Sequence, residues 1–264
     1  MCDNGIMRRL LLTLPTPAEN LALDEALLEW AEENDPQIEF LRLWESPAPL
    51  VVVGRSSRLH LEVHESACTE CGIPVLRRSS GGAAIVAGPG CLMYAVVLSL
   101  DLRPELRDIH QAHSFVLGRL AEGLRACGFP VEQAGTSDLV FADVETGVSP
   151  VFQDAGEPPA PRKFSGNSLR VKRTHLLYHG TLLYDFDLSL SPRCLKSPPR
   201  EPEYRAARSH LDFVANLPTT RSALTGAVMA AWPTMAELVD WPQPRVAELV
   251  AERFSQESWN REFA

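Results

Sequence analysis

Two short basic segments, each rich in glycine and serine, hold the residue types that could do chemistry. The first reads Arg-Arg-Ser-Ser-Gly-Gly over residues 77–82 and lies between two apolar runs, residues 73–76 and 83–86. Glycine lets backbone N–H groups approach a ligand closely, and arginine offers a planar fork to phosphate or carboxylate. The pattern predicts a loop that closes over an anion. The residues alone leave open a tight hairpin with a solvated basic tip.

A lysine in the second segment could stabilise developing negative charge. Residues 162–168 read Arg-Lys-Phe-Ser-Gly-Asn-Ser, and residues 175–184 read His-Leu-Leu-Tyr-His-Gly-Thr-Leu-Leu-Tyr. A reaction between two anionic partners needs a fixed cation between them. A lysine about 4 Å from a phosphate oxygen gains on the order of 4 kcal/mol at an effective dielectric constant of about 20. Lys163 fits this role because small residues lie near it, and a solvated strand lysine is the alternative.

Taken in order, the Arg-Arg-x-Ser-Gly-Gly, Lys-x-Ser-Gly-Asn and His-Gly-Thr-Leu-Leu segments resemble the lipoate–protein ligase A family. That family belongs to the larger group of biotin and lipoate ligases and transferases. Residues 20–28 resemble it too, as does Gly54-Arg55-Ser56, where the first two residues would close the pocket floor. The resemblance covers roughly residues 16–190 and rests on three ordered motifs, so it is more specific than a lone glycine loop.

The resemblance implies a role for each matching residue. Lys163 would be the catalytic cation that contacts both the acyl carboxylate and the α-phosphate, and Asp138 would lie at the nucleotide. Arg77 is less suited than its neighbour, because adjacent strand residues point to opposite faces. A turn-capping role for Asp138 and an ordinary strand position for His179 stay open. The implied substrate-binding residues are Arg78, Ser80, Gly81, Gly82, Ser165, Gly166, His179, Gly180 and Thr181.

The reaction that the resemblance implies has two steps. Lipoate or octanoate reacts with ATP to give an acyl adenylate and pyrophosphate, with Mg²⁺ shielding the phosphates. The ε-amine of a lysine on a lipoyl-domain acceptor protein then attacks the adenylate and forms an amide.

Two alternatives to an ATP-dependent ligase remain. An octanoyltransferase of the same fold takes acyl groups from acyl carrier protein through a cysteine thioester and needs no ATP. Cys194 is the candidate for that thioester, although its spacing is not the usual one, and a thiol without a role is the other interpretation. The third class is a non-catalytic homologue that binds lipoyl domains or acyl adenylates without turnover.

Four positions depart from the family pattern. After Gly82 the family usually has a third glycine and then a His-Asp pair, where this chain has Ala83 and Ala87-Gly88. Cys91 stands where the family often has asparagine. We expect the alanine to narrow the site near the ligand, which leaves the acyl length and the acyl group open.

The pattern of apolar residues predicts an α+β fold with a mixed, largely antiparallel sheet flanked by helices. The resemblance implies the same biotin/lipoate ligase catalytic-domain fold, as a single domain over residues 1–264 without the C-terminal accessory domain that bacterial ligases commonly carry. We therefore expect either a separate accessory subunit or a transferase. Residues 144–161 carry several prolines and acids and predict a loop insertion, which could act as a lid. Strands are expected at residues 38–44, 50–53, 73–76, 83–86, 92–100, 138–141, 164–171 and 175–184, and helices from residue 16 and at 61–71, 109–124, 222–231 and 244–254.

Composition argues against several other classes of protein. The formal net charge of −9 disfavours a nucleic-acid partner. No apolar run approaches the roughly 20 residues that span a bilayer, and the start is too short for a signal peptide, so we expect a cytoplasmic protein with reduced cysteines. His60, His64, Cys68 and Cys71 could bind zinc if one helix aligned them, but no second ligand pair follows, so we expect no metal centre.

Overall fold

The computed structural model describes residues 6–141, 160–198, 200–232 and 236–263. The predicted insertion at residues 144–161 lies outside this part of the chain except for its last two residues. The strands, in chain order, are β1 (Ile6–Leu11), β2 (Ile38–Trp44), β3 (Leu50–Val53), β4 (Val75–Arg77), β5 (Ile85–Ala87), β6 (Cys91–Ser99), β7 (Val131–Ala134), β8 (Asp138–Phe141), β9 (Arg162–Val171), β10 (His175–Leu183) and β11 (Ala236–Glu237).

The described strands form two sheets. The large sheet has the order β11-β1-β2-β6-β10-β9-β8-β7, and a small one has the order β4-β3-β5. β1 is parallel to β2 and β11, β3 is parallel to β4, and the remaining pairs are antiparallel. The expected α+β fold with a mixed, largely antiparallel sheet is confirmed.

Helices flank these sheets. They are α1 (Pro17–Asn34), α2 (Leu59–Glu62), α3 (Glu65–Glu70), α4 (Ile109–Ala126), α5 (Leu190–Cys194), α6 (His210–Phe213), α7 (Arg221–Ala231), α8 (Gln243–Leu249) and α9 (Glu257–Asn260). Short 3₁₀ turns occur at Pro104–Arg107 and Glu203–Arg205, and a π-helical turn at Val250–Phe254 follows α8. None of the described helices is long and apolar enough to cross a membrane.

The longest two helices form for reasons that the sequence carries. Thr16 and Glu19 make the predicted reciprocal cap at the start of α1, because each side chain accepts the other's backbone N–H. α1 is buried on nearly all sides and packs on β10, β2 and the C-terminal helix α8. Asp108 caps α4, whose buried stripe includes Val116 and Leu120. Ile109, expected in that stripe, is 53% exposed.

The single helix predicted at residues 61–71 is wrong. The chain leaves the helical conformation at Val63, which is extended and forms a bridge with Leu195. α2 and α3 are therefore separate short helices, and the His60, His64, Cys68 and Cys71 positions do not share one helix. Over the described residues, no group of three His, Cys, Asp or Glu side chains is placed to hold a metal ion.

A register irregularity between β8 and β9 sets the direction of the side chains on β9. In the pairing of β8 with β9, Asp138 lies opposite Gly166 and Val140 lies opposite Lys163, with a shift between Leu139 and Val140. Such an irregularity re-aims the side chains beside it. Phe164 is fully buried while Lys163 is partly exposed, so the strand delivers an ammonium group to one face and an apolar anchor to the other.

Candidate active site

A cavity of about 470 Å³ opens where β8, β9, β10 and the glycine-containing loop after β4 meet. That volume is typical of a small-molecule site. The segment after α5 lines its rim. The predicted site residues that line it are Arg78, Gly82, Asp138, Lys163, Ser165, Gly166, His179, Gly180 and Thr181, whereas Ser80, Gly81 and Cys194 do not.

Lys163 presents its ammonium group to this cavity. The Lys163 Nζ lies 2.8 Å from Asp138 Oδ1, and its side chain is 26% exposed. The other Asp138 oxygen accepts a hydrogen bond of 2.6 Å from the Tyr204 hydroxyl. A Cβ at position 166 would lie 2.8 Å from the same Nζ, so a side chain there would displace the amine from this position. Side chain and backbone together leave the amine one close anionic partner and open space ahead of it.

Arg78 organises the loop, which differs from the expectation that its fork would bind an anion. Its guanidinium donates to the carbonyl oxygens of Val52, Gly81 and Ala83 and to the Ser80 hydroxyl. Burial lowers the pKa of Arg78 to about 10, so the side chain stays charged at neutral pH. A guanidinium has five N–H donors, and protein acceptors take four of them: the one on Nε, one on Nη1 and both on Nη2.

The loop carbonyls are all engaged, which leaves the amides for a ligand. Ser80 O accepts from the Arg55 N–H, Gly82 O accepts from the Ser57 hydroxyl, and the carbonyls of Gly81 and Ala83 accept from Arg78. For the N–H groups of residues 80–83, no acceptor is found among the described residues. Backbone amides without a protein acceptor are donors that can cradle an anion, and of these four residues Gly82 and Ala83 line the cavity.

The loop and the lysine strand are joined directly. The Ser168 hydroxyl donates to Gly81 O at 2.8 Å, and Ser168 lies on β9, the strand that also carries Lys163. Gly54 packs beneath the loop, because a Cβ there would overlap Gly82 O. The spacing between amine and loop is therefore set by one strand and one close backbone approach.

Arg77 points away from the cavity, as strand alternation predicts. Its guanidinium is fully buried and donates to carbonyls of Gly54 and Ser57 and of Trp259 and Asn260 in the C-terminal helix α9. The C-terminal helix thereby supports the back of the loop, a role that sequence reasoning did not assign to it.

A buried polar chain that sequence reasoning missed links the loop to α1. The Ser80 hydroxyl lies 2.5 Å from His179 Nε2, His179 Nδ1 lies 3.4 Å from Asp24 Oδ2, and Arg42 Nη1 donates to Asp24 at 2.5 Å. Because the ionised Asp24 carboxylate can only accept, His179 Nδ1 carries a proton and donates it to Asp24. The Ser80 hydroxyl accepts from Arg78 Nε and is the partner of His179 Nε2. Both ring nitrogens thus have protein partners.

The charge on Asp24 is maintained by its partners. Burial raises the pKa of Asp24, but Arg42 and His179 outweigh burial and hold that pKa below its usual value. The sequence feature that could have identified Asp24 is its place within residues 20–28, the segment that resembles the family.

Cys194 is not brought to the cavity. It ends α5 fully buried, beside Cys68, whose thiol lies 4.0 Å from Cys194 O. Burial raises the pKa of the Cys194 thiol, and it disfavours the thiolate that a nucleophile requires. Within the described residues, no cysteine lines the cavity.

The positions that depart from the family pattern have found other partners. Ala83 lines the cavity beside Gly82. Cys91 is buried, and its neighbour Gly90 donates its N–H to Glu45, which also accepts from the Tyr184 hydroxyl. Glu45 therefore supplies polar contacts at this strand start.

Comparison with known proteins defines the class to which this fold and site belong. Residues 16–229 match the family described as the lipoyl protein ligase A/B catalytic domain, and the chain belongs to that family. Its relatives are enzymes named as lipoate–protein ligases and octanoyltransferases.

Individual relatives match at low identity. The chain is 26% identical over 217 residues to a putative lipoate–protein ligase A of Aeropyrum pernix, covering 82% of this chain and 71% of that protein. It is 28% identical over 191 residues to octanoyltransferase LipM of Anoxybacillus flavithermus, covering 69% and 67%. The match to a probable lipoate–protein ligase A of Mycoplasma pneumoniae is 26% identical and spans 69% of this chain but 48% of that protein, so the chain spans about half of that relative's length.

Solved structures share the fold. A bipartite lipoate protein ligase of Thermoplasma acidophilum, studied with its E2 lipoyl domain, superposes with a TM-score of 0.78 at 22% identity, covering 99% of this chain and 98% of the other. A lipoate–protein ligase A bound with ATP gives a TM-score of 0.72 at 20% identity, covering 98% and 100%.

Proposed function

We propose that this chain activates lipoate or octanoate with ATP to an acyl adenylate and transfers the acyl group to a lysine of a lipoyl-domain protein. The observation that carries the proposal is the Lys163 ammonium facing a cavity that the amide-presenting loop also lines. Family membership and the ATP-bound fold relative support it. The cavity offers a cation and free amides together, which is what an acid head and a phosphate both need.

The first step places two anions around Lys163. The acyl carboxylate attacks the α-phosphorus, the bond from that phosphorus to the bridging oxygen breaks, and pyrophosphate leaves with the electron pair. Negative charge builds on the oxygens between the partners, where Lys163 and the amides of the cavity-lining residues Gly82 and Ala83 can donate. In the second step the acceptor amine attacks the acyl carbon, AMP leaves, and one proton is released from nitrogen.

Mg²⁺ would arrive with the nucleotide. Four carboxylate side chains line the cavity, Asp24, Glu62, Asp138 and Glu201, and Arg42 already occupies Asp24. The described residues hold no three-ligand cluster, which fits an ion that keeps its waters and phosphate oxygens and takes at most one or two carboxylates. Asp138 is the residue that would reach such an ion, and the ion would supply charge neutralisation on the phosphates.

Lipoate-dependent exchange of pyrophosphate into ATP tests the proposal. We expect exchange by the wild-type chain and a loss of roughly 10³-fold in Lys163→Gln, because about 4 kcal/mol of charge stabilisation disappears. Lys172→Gln is the matched control, since Lys172 lies on the same stretch of chain but pairs with Glu29 away from the cavity. Retained exchange in Lys163→Gln would contradict the proposal.

Further assays on the wild-type protein distinguish the alternative functions. Transfer from octanoyl carrier protein without ATP, together with an acyl adduct on a cysteine, would indicate the octanoyltransferase that the LipM likeness suggests. Binding without either activity would indicate a non-catalytic homologue. Exchange that appears only after a second protein is added would support the predicted accessory subunit.

A further inference from the structure

Tyr204 lies behind the cavity wall, yet its hydroxyl touches the carboxylate that holds the Lys163 ammonium. We propose that Tyr204 is a positioning residue, which fixes Asp138 so that its other oxygen holds the amine at the reacting atoms. The proposal rests on the function proposed above and adds a residue from the segment that follows β10, outside the three sequence motifs.

The geometry locks the carboxylate from both sides. Tyr204 reaches Asp138 Oδ2 at 2.6 Å, and Lys163 Nζ reaches Oδ1 at 2.8 Å. Rotation of the carboxyl group would break one of these contacts, so Tyr204 limits the positions open to the ammonium. Burial, and then the charge of Asp138, raises the pKa of Tyr204 well above its usual range, which keeps the hydroxyl a donor.

Tyr204 is itself held in place by its own segment. Its ring packs against Phe213 with centroids 5.2 Å apart and the ring planes tilted by 42°, and Arg208 donates to its carbonyl at 2.9 Å. Ala206 and Ala207 follow in the left-handed region, with φ of 50° and 57°. Alanine rarely adopts that conformation, so a tight turn is being enforced by its surroundings.

The Tyr204 ring also lies close to the strand connection before Asp138. Gly135 has φ of +54°, and a Cβ there would lie 3.3 Å from the Tyr204 ring. The segment that carries Tyr204 also contacts Lys163 through the backbone, because Ala215 donates its N–H to Lys163 O at 2.9 Å. Residues 203–215 therefore hold Lys163 at its backbone and, through Tyr204 and Asp138, at its amine.

Tyr204→Phe tests this role because it keeps the packed ring and removes only the hydroxyl. We expect kcat for lipoate-dependent exchange to fall on the order of tenfold while KM for lipoate and for ATP changes by less than about twofold. Tyr184→Phe is the matched control, since that hydroxyl also donates to a carboxylate, Glu45, at 2.9 Å but outside the cavity. We expect it to leave both constants unchanged.

A double-variant cycle distinguishes positioning from packing. If Tyr204 acts through Asp138, Tyr204→Phe has no further effect on kcat or on Tm in the Asp138→Ala background, which has no acceptor for the hydroxyl. Effects that multiply in kcat and add in Tm would overturn the proposal, as would an active wild type with an equally active Tyr204→Phe. A wild-type chain with no exchange and no transfer would instead contradict the proposed function, and the Tm cycle would still decide whether Tyr204 and Asp138 act as a unit.

Discussion

Two of the cationic side chains that line the cavity, Arg78 and Lys163, differ in how much of their hydrogen-bonding capacity the protein uses. The Arg78 guanidinium is spent on loop carbonyls and the Ser80 hydroxyl. The Lys163 ammonium contacts Asp138, and in the described residues its other donors have no protein partner. Arg78 therefore stabilises the loop, whereas Lys163 is available to a ligand. Removing Arg78 should lower stability, and removing Lys163 should lower activity.

Removing Arg78 should damage the fold itself. Arg78→Met removes the side-chain donor to the carbonyls of Val52 and Ala83 and one of the donors to Gly81 O, and we expect a loss of about 3 kcal/mol in the free energy of unfolding. Urea denaturation measures it. Arg58→Met, at an exposed arginine, is the control and should stay within about 0.5 kcal/mol. A stable Arg78→Met chain that has lost only activity would erase the contrast with Lys163.

The buried chain from Arg42 to Ser80 makes a prediction about acid. Since Asp24 has a pKa held below its usual 3.8 in the folded state, its contribution to stability is present above that value and is lost as the pH falls through the folded pKa. We expect Asp24→Asn to cost about 3 kcal/mol at neutral pH, because Arg42 is left buried without its counter-charge.

The sign can be read from unfolding curves at several pH values. The stability difference between wild type and Asp24→Asn should shrink below about pH 4. Asp101→Asn, at an exposed carboxyl, is the control and should give no such trend. A stability difference that grows on acidification would mean that Asp24 is not the ionised partner of Arg42 in the folded state.

Two adjacent glycines sharpen the view that the loop is a frame for free amides. Gly82 has φ of +84°, and a Cβ there would lie 3.0 Å from Arg78 Nη2, whereas a Cβ on Gly81 meets nothing within 4 Å. We expect Gly82→Ala to cost about 1–2 kcal/mol and Gly81→Ala less than about 0.5 kcal/mol, both by urea denaturation. Equal costs would indicate that the loop is not held as described.

Much of this arrangement was present in the sequence because local signals agree with the fold. The capping pair Thr16 and Glu19, the apolar runs of the sheet and the three ordered motifs predicted the elements and the position of Lys163. The partners of Arg78 could not be predicted, because a guanidinium group can donate to a phosphate as well as to carbonyl and hydroxyl oxygens of the protein. Only tertiary packing decides which groups it meets.

Long-range partners were missed for the same reason. Asp24 and Tyr204 act on His179 and Asp138 from distant parts of the chain, so no spacing rule connects them. The break between α2 and α3 also depends on a remote residue, since Val63 pairs with Leu195. Propensity favours one helix there, and the bridge overrides it.

The smallest expected effect concerns the thiol that lies outside both cationic regions. Cys194→Ala should leave acyl transfer within about twofold of wild type, because the side chain is fully buried and burial raises the pKa of its thiol. Cys68→Ala, in the same buried neighbourhood, is the matched control for any general loss of packing. Mass spectrometry of the wild type after incubation with octanoyl carrier protein completes the comparison. An octanoyl adduct on Cys194, absent in its alanine variant, would show that this end of α5 opens. It would also show that an enzyme thiol takes the acyl group before the acceptor lysine attacks it.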